Sequence, residues 1–195
     1  EEKTSSFSLL TNDDLHLFNE GNHYRLYEKM GAHRIEEKGG TYFSVWAPNA
    51  EQVHVVGDFN RWKKGKHLLN PIQQSGIWEG FFPEVEKGHI YKYYIQSRQN
   101  AYRVEKADPF AMLCETPPKT GSIVWDLDYS WNDQNWMDKG RERHNFLNSP
   151  ISIYEVHLGS WMRKPEGSRL SYRELAPLLT KYLKEMEFTH VEFLP

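Results

Sequence analysis

Only one cysteine, Cys114, occurs in 195 residues. A lone thiol excludes an internal disulfide and a cysteine-built zinc site, and it points to a reducing compartment. No run approaches the 18 or more apolar residues of a membrane span. The opening residues, EEKTSSF, carry neither the basic start nor the apolar core of a signal peptide. Charge excess of one sign is missing too. The 24 Lys and Arg stand against 27 Asp and Glu, a net charge of −3, with no basic block. A nucleic-acid binder that works by neutralising many phosphates is therefore excluded. The nine histidines show no His-Glu-x-x-His or comparable spacing, so neither a metal nor another cofactor is expected. A cytoplasmic protein follows as the expectation, with no membrane and no nucleic acid among its partners.

What the chain does have is aromatic surface: 7 Trp, 11 Tyr and 10 Phe, 14% of the residues. On a nearly neutral, polar chain such an excess suits stacking on flat, weakly charged ligands, sugars among them. It equally suits the core of a β-sandwich, so composition does not choose between them.

Along the chain the pattern changes three times. Residues 1–34 read as a helical lead-in, with Asn12 or Asp13 as the cap, Leu15, Leu17 and Phe18 as the apolar side and Gly21 as the stop. A further turn or helix is expected over 23–30. From Gly39 the period becomes two. Over 41–47, Tyr42, Ser44 and Trp46 fall on one face and Phe43, Val45 and Ala47 on the other. Strands are expected at 41–47, 52–56, 77–82 and 89–96, with weaker ones at 102–104 and 122–125. Short strands with turn residues between them predict an all-β, immunoglobulin-like sandwich over 35–126. Residues 127–150, polar and aromatic without a clean period, read as an ordered linker. Its acidic residues and the nearby Asp126 lack the Gly and terminal Glu of a calcium loop.

After Pro150 the grammar becomes α/β. An apolar run at 151–158 has strand length. Ser171 and Glu174 then fit a capping box ahead of the helical stripe Leu175, Leu178, Leu179, Tyr182, Leu183 and Met186. Pro177 sits awkwardly inside that stripe, since it removes one helical hydrogen bond. Another strand is expected at 189–194. Strand, helix and strand make a βαβ unit with parallel strands. One such unit cannot cover both faces of a parallel sheet, so residues 151–195 read as the incomplete start of a larger α/β domain.

Two places carry chemistry. The first is Gly57-Asp58-Phe59-Asn60-Arg61-Trp62, followed by Tyr91-Lys92-Tyr93-Tyr94. Trp62, just after a tight turn, would be presented at the surface, where an indole face matches the apolar face of a glucose ring and Lys92 can donate to hydroxyls. The alternative is that Trp62 plugs a sheet edge and Lys92 is an ordinary solvated strand residue. The second place is Ser152-Ile-Tyr-Glu-Val-His-Leu-Gly-Ser-Trp161. Glu155 and His157 share a strand face with Ile153, while Tyr154, Val156 and Leu158 point the other way. A structural hydrogen-bonding role for the Glu/His pair stays open.

The ordered phrases GDFNRW, YRVEKADPFA, PPKTGSIVWD, SIYEVHLGSW, SYRELA and FTHVEFLP resemble the N-terminal third of the bacterial-type glycogen branching enzyme family, within the α-amylase superfamily. The resemblance runs from about residue 24 to residue 195. It implies a glucan-binding module, then the first β-α-β of a truncated (β/α)8 barrel. It further implies an activity that cuts α-1,4 links and passes the segment to a 6-hydroxyl, making α-1,6 branches. The alternatives are a stand-alone α-glucan-binding module and a debranching-type relative. By the same resemblance, Trp62 and Lys92 match glucan-binding positions, and His157 and Trp161 match positions near a barrel mouth. No catalytic residue is carried over, because the family's catalytic carboxylates follow later barrel strands. The implied partners are α-1,4-glucan and the remainder of the barrel, in a monomer. One departure is visible: where the family usually has Gly after the helix, this chain has Glu187.

Overall fold

A computed structural model describes residues 7–100, 102–143 and 149–195, so parts of the expected lead-in (1–6) and linker (144–148) lie outside the described residues. The chain forms two units, Glu1–Tyr129 and Ser130–Pro195.

The first unit is built on two antiparallel sheets. One contains β1 (Gly31–Ile35), β2 (Gly40–Trp46), β4 (Asn70–Pro71) and β5 (Ile77–Phe82), in the order β1-β2-β5-β4. The other contains β3 (Ala50–Gly57), β6 (Ile90–Ser97), β8 (Leu113–Cys114) and β9 (Ser122–Ile123), in the order β3-β6-β9-β8, with β7 (Arg103–Lys106) also paired to β6. Phe43 and Val45 of β2 and Trp78 and Phe82 of β5 meet Val53, Val55, Tyr91 and Tyr93 of the other sheet in one buried cluster. The two sheets therefore pack face to face as a β-sandwich.

The period-two pattern of β2 separates its two faces, and Phe43, Val45 and Ala47 all lie in that cluster. It does not anticipate that Tyr42 and Ser44, on the opposite face, are also 0% exposed. The N-terminal segment covers them. Helix α1 (Asn12–Glu20) contributes Leu15 to a second apolar cluster with Leu10, Met30 and Ile77, and Phe7 meets the Tyr42 ring edge-on at 6.0 Å. The cap of α1 is Thr11, one residue before the expected pair. Its hydroxyl accepts the Asp14 N–H, and the Asp14 carboxylate accepts the Thr11 N–H at 2.8 Å. This reciprocal pairing satisfies two end donors at once. Residues 26–28 form only a 3-10 turn.

Three strands escape the sequence pattern. β1 lies inside the span read as lead-in, so the first sheet begins at Gly31 rather than near residue 35. β4 and β8 are two residues each, too short to show a period. Cys114 sits exposed in β8.

The second unit opens with α2 (Gln134–Arg143), a helix within the span read as linker. β10 (Ile153–His157) and β11 (His190–Leu194) then pair in parallel, joined through α3 (Tyr172–Glu185). Val156, Leu175 and Leu179 form the small core between strand and helix. Ser171 caps α3 as its sequence suggests: its side chain accepts the Glu174 N–H, and the Glu174 carboxylate accepts the Ser171 N–H at 2.8 Å. Pro177 neither splits nor ends the helix. Glu187 takes the left-handed conformation (φ 58°), and the Phe188 N–H reaches the Leu183 carbonyl at 3.0 Å. The helix stop is the one glycine ordinarily builds, made here at a cost on the order of 1 kcal/mol for a residue with a Cβ.

Candidate glucan-binding site

The turn after β3 is where the sequence pattern and the geometry meet. Gly57 ends the strand, Asp58–Asn60 make a 3-10 turn, and Arg61 (φ 56°) and Trp62 (φ 58°) follow in left-handed conformations. Two consecutive non-glycine residues in this region are costly, about 1–2 kcal/mol each, and need surroundings that force the choice. Those surroundings are present. The Trp62 N–H donates to the Gly57 carbonyl at 2.7 Å and the Arg61 N–H to the Asp58 carbonyl at 3.1 Å. The Asp58 carboxylate accepts from the Phe59 N–H (2.8 Å) and, across the sheet, from the Ile90 N–H (3.2 Å). Trp62 emerges 41% exposed.

Lys92 lies beside this turn. Val56 pairs with Lys92 and Gly57 with Tyr91. Because Tyr91 and Tyr93 face the core, Lys92 and Tyr94 point to the outer face. The Lys92 ammonium donates to the Thr120 hydroxyl at 2.8 Å, so it is a placed donor rather than a free one. Further along the face, the Lys64 ammonium lies 4.1 Å from the Tyr94 ring centre and donates to its hydroxyl at 3.0 Å. Burial, and then the nearby Lys64 charge, lower the pKa of His54 on the same face. The fold thus brings Trp62 and Lys92 to one end of the second sheet, with Thr120, Tyr94 and Lys64 added. Thr120 comes from a separate segment and shares no spacing with the others; Lys64 and Tyr94 stand two residues beyond Trp62 and Lys92, and the sequence reading assigns neither a role.

His157 and Trp161 belong to the second unit. His157 is exposed at the end of β10, its Nδ1 2.8 Å from the Ser160 hydroxyl. Trp161, in the loop after β10, is half-buried against Tyr182 of α3, and its indole N–H donates to the Tyr154 hydroxyl at 3.0 Å. Glu155 lies directly opposite Glu192 in the parallel pair. Among the described residues, no group of three or more His, Cys, Asp and Glu is placed to hold a metal. No described helix is long and apolar enough to cross a membrane.

Residues 29–111 match the carbohydrate-binding module 48 family (isoamylase N-terminal domain). The sandwich with its presented tryptophan is accordingly a carbohydrate-binding module. The whole chain is 54% identical over 194 residues to a 1,4-alpha-glucan branching enzyme of Aquifex aeolicus (strain VF5), covering 97% of this chain and 30% of the relative. It is 53% identical over 194 residues to one of Gloeobacter violaceus, covering 96% and 26%. Over nearly its whole length the chain is similar to bacterial glycogen branching enzymes, and it spans between a quarter and a third of the length of these curated relatives. Among solved structures, a Klebsiella pneumoniae pullulanase complexed with maltotriose is similar with a TM-score of 0.60 and 25% identity, over 86% of this chain and 17% of that one.

Proposed function

We propose that this chain supplies the glucan-binding module and the opening β-α-β of the (β/α)8 barrel of a cytoplasmic 1,4-α-glucan branching enzyme, acting in glycogen biosynthesis. The 54% identity across 97% of the chain carries the reading. The lower identity to pullulanase, 25%, favours branching over debranching. In a retaining transglycosidase of this kind a carboxylate attacks the anomeric carbon of an α-1,4 link while a second carboxyl, roughly 5–5.5 Å away, protonates the departing oxygen. The same group then removes the proton of an incoming 6-hydroxyl, which displaces the enzyme carboxylate and forms the α-1,6 branch. Neither carboxylate is assigned to this chain. Its role is to hold α-1,4-glucan, with the Trp62 indole stacking on a glucose face and Lys92, oriented by Thr120, donating to hydroxyls. The exposed His157 imidazole and the Trp161 ring edge are the proposed contacts near the barrel mouth.

The test is retardation of the purified chain in gels containing amylose. Trp62→Ala is expected to weaken binding about 2- to 10-fold, the value of one aromatic stacking contact; unchanged retardation would remove Trp62 from the site. The same preparation is expected to leave the iodine colour of amylose unaltered. A fall in colour with time would place the transferring carboxylates within these residues.

A further inference from the structure

Beneath the Arg61–Trp62 turn a chain of polar groups runs from Asn60 and His67, both buried, out to Glu84 at the surface. The Asn60 side chain is its centre. Its Oδ1 accepts the Gly57 N–H at 3.0 Å, and its Nδ2 donates to the Val55 carbonyl at 2.9 Å. These two backbone partners fix the orientation of the amide. The remaining Nδ2 hydrogen therefore points at His67 Nδ1, 2.9 Å away, which must accept it. That leaves the proton of the neutral imidazole on Nε2, where it donates to the Glu84 carboxylate at 2.8 Å. His67 is 1% exposed, packed edgewise between Phe59 (5.0 Å) and Phe82 (4.7 Å), and its own carbonyl accepts the Val55 N–H at 2.9 Å. Burial opposes the charge on Glu84, but hydrogen bonds from its own backbone and from His67, with the nearby Lys66 charge, outweigh it and lower its pKa.

We infer that Asn60, His67 and Glu84 are positioning residues that hold the strained Arg61–Trp62 turn and so set the pose of Trp62 for glucan. The inference rests on the glucan-binding reading above. The three residues come from three separate segments, and the hydrogen bonds that link them end on the turn. Asn60 ties the turn to both ends of one backbone reach, Val55 and Gly57. His67 fixes Asn60, and Glu84 fixes His67. A left-handed pair without glycine survives only under such constraint.

The test is a double-mutant cycle between His67→Phe and Trp62→Ala, with affinity for a linear maltooligosaccharide measured by calorimetry. Phenylalanine fills the slot between Phe59 and Phe82 but accepts nothing from Asn60. His67→Phe is expected to lower affinity to within about 2-fold of Trp62→Ala, with no further loss in the double variant. Additive losses, or an unchanged single variant, would overturn the relay. The indole N–H resonance of Trp62, assigned by its disappearance in Trp62→Ala, supplies a readout independent of glucan. It is expected to shift in His67→Phe, and a stationary resonance also overturns the relay. If Trp62→Ala alone leaves affinity unchanged while that resonance still moves in His67→Phe, the relay stands and the glucan reading fails. Should His67→Phe not fold, Glu84→Ala must shift the resonance and Glu84→Gln, which keeps an acceptor, must restore it; failure of either decides against the relay.

Discussion

Replacing Asp108 with alanine is expected to destabilise the first unit by about 3–5 kcal/mol, because each buried donor left unpaired costs roughly 1–3 kcal/mol. Asp108 is 5% exposed. Its carboxylate accepts the hydroxyls of Tyr91 (2.7 Å) and Tyr93 (3.0 Å) and the Phe110 N–H (2.8 Å). Both tyrosines are fully buried in the sandwich core. Of the three donors, only the Tyr93 hydroxyl has a second acceptor within reach, the Ser44 carbonyl at 3.3 Å. Water cannot replace the carboxylate without opening the core. In a domain of this size the loss corresponds to a fall in melting temperature on the order of 10 °C. Asp108→Asn keeps one acceptor and should cost clearly less. Equal melting temperatures for Asp108→Ala and the parent chain would dispose of this account.

The same residue gives a pH signature. Burial raises the Asp108 pKa in the folded protein, against the hydrogen bonds from Tyr91, Phe110 and Tyr93. A carboxyl with a raised folded pKa binds its proton more tightly when folded. Its contribution is fully present below the unfolded pKa and is lost as pH rises through the folded one. The stability of the parent chain relative to Asp108→Asn should therefore be greatest in acid and decline as pH rises past the ordinary aspartate range. Denaturant melts of both proteins at a series of pH values measure the trend, and a difference that grows with rising pH contradicts it.

Gly57→Ala is expected to cost at least about 1–3 kcal/mol, the usual range for overpacking a filled site, and to weaken glucan binding as well. Conformational freedom is not the issue, since the backbone there is extended (φ −171°). Space is. An added Cβ would stand 2.3 Å from the Ile90 carbonyl oxygen and 2.5 Å from the Phe59 ring. The carbonyl belongs to the neighbouring strand β6, so relief requires the β3–β6 pair to part just where Gly57 meets Tyr91. Gly57 also gives its carbonyl to Trp62 and its N–H to Asn60, so the shift passes directly into the turn. Chemical denaturation measures the first effect and amylose-gel retardation the second. A variant with parental stability and binding would show that the strands yield freely.

Much of this is legible in the sequence. Alternation in 41–47 separates the two faces of β2, and the Ser171–Glu174 spacing identifies the start of α3. Glycine and aspartate after 52–56 mark the turn that presents Trp62. These features depend on neighbours a few residues apart, which a linear pattern records. The lead-in was harder: α1 follows from its own periodicity, but nothing local says that Phe7 will meet Tyr42 or that Lys29 and Met30 will meet Ser44. β1, β4 and β8 are strands through their partners' hydrogen bonds rather than through their own composition.

The amino-acid sequence by itself determined the resemblance to glycogen branching enzymes, the change from a sandwich grammar to a strand-helix-strand grammar, and the candidate pair Trp62 and Lys92. Only the tertiary structure decided that Lys92 is held by Thr120 and that Gly57 is required by a carbonyl on another strand. It alone joined Asn60, His67 and Glu84 beneath the tryptophan. The physical reason is common to all three. Each depends on groups far apart in sequence meeting at hydrogen-bonding or contact distance, and that meeting is set by sheet register and core packing rather than by spacing along the chain.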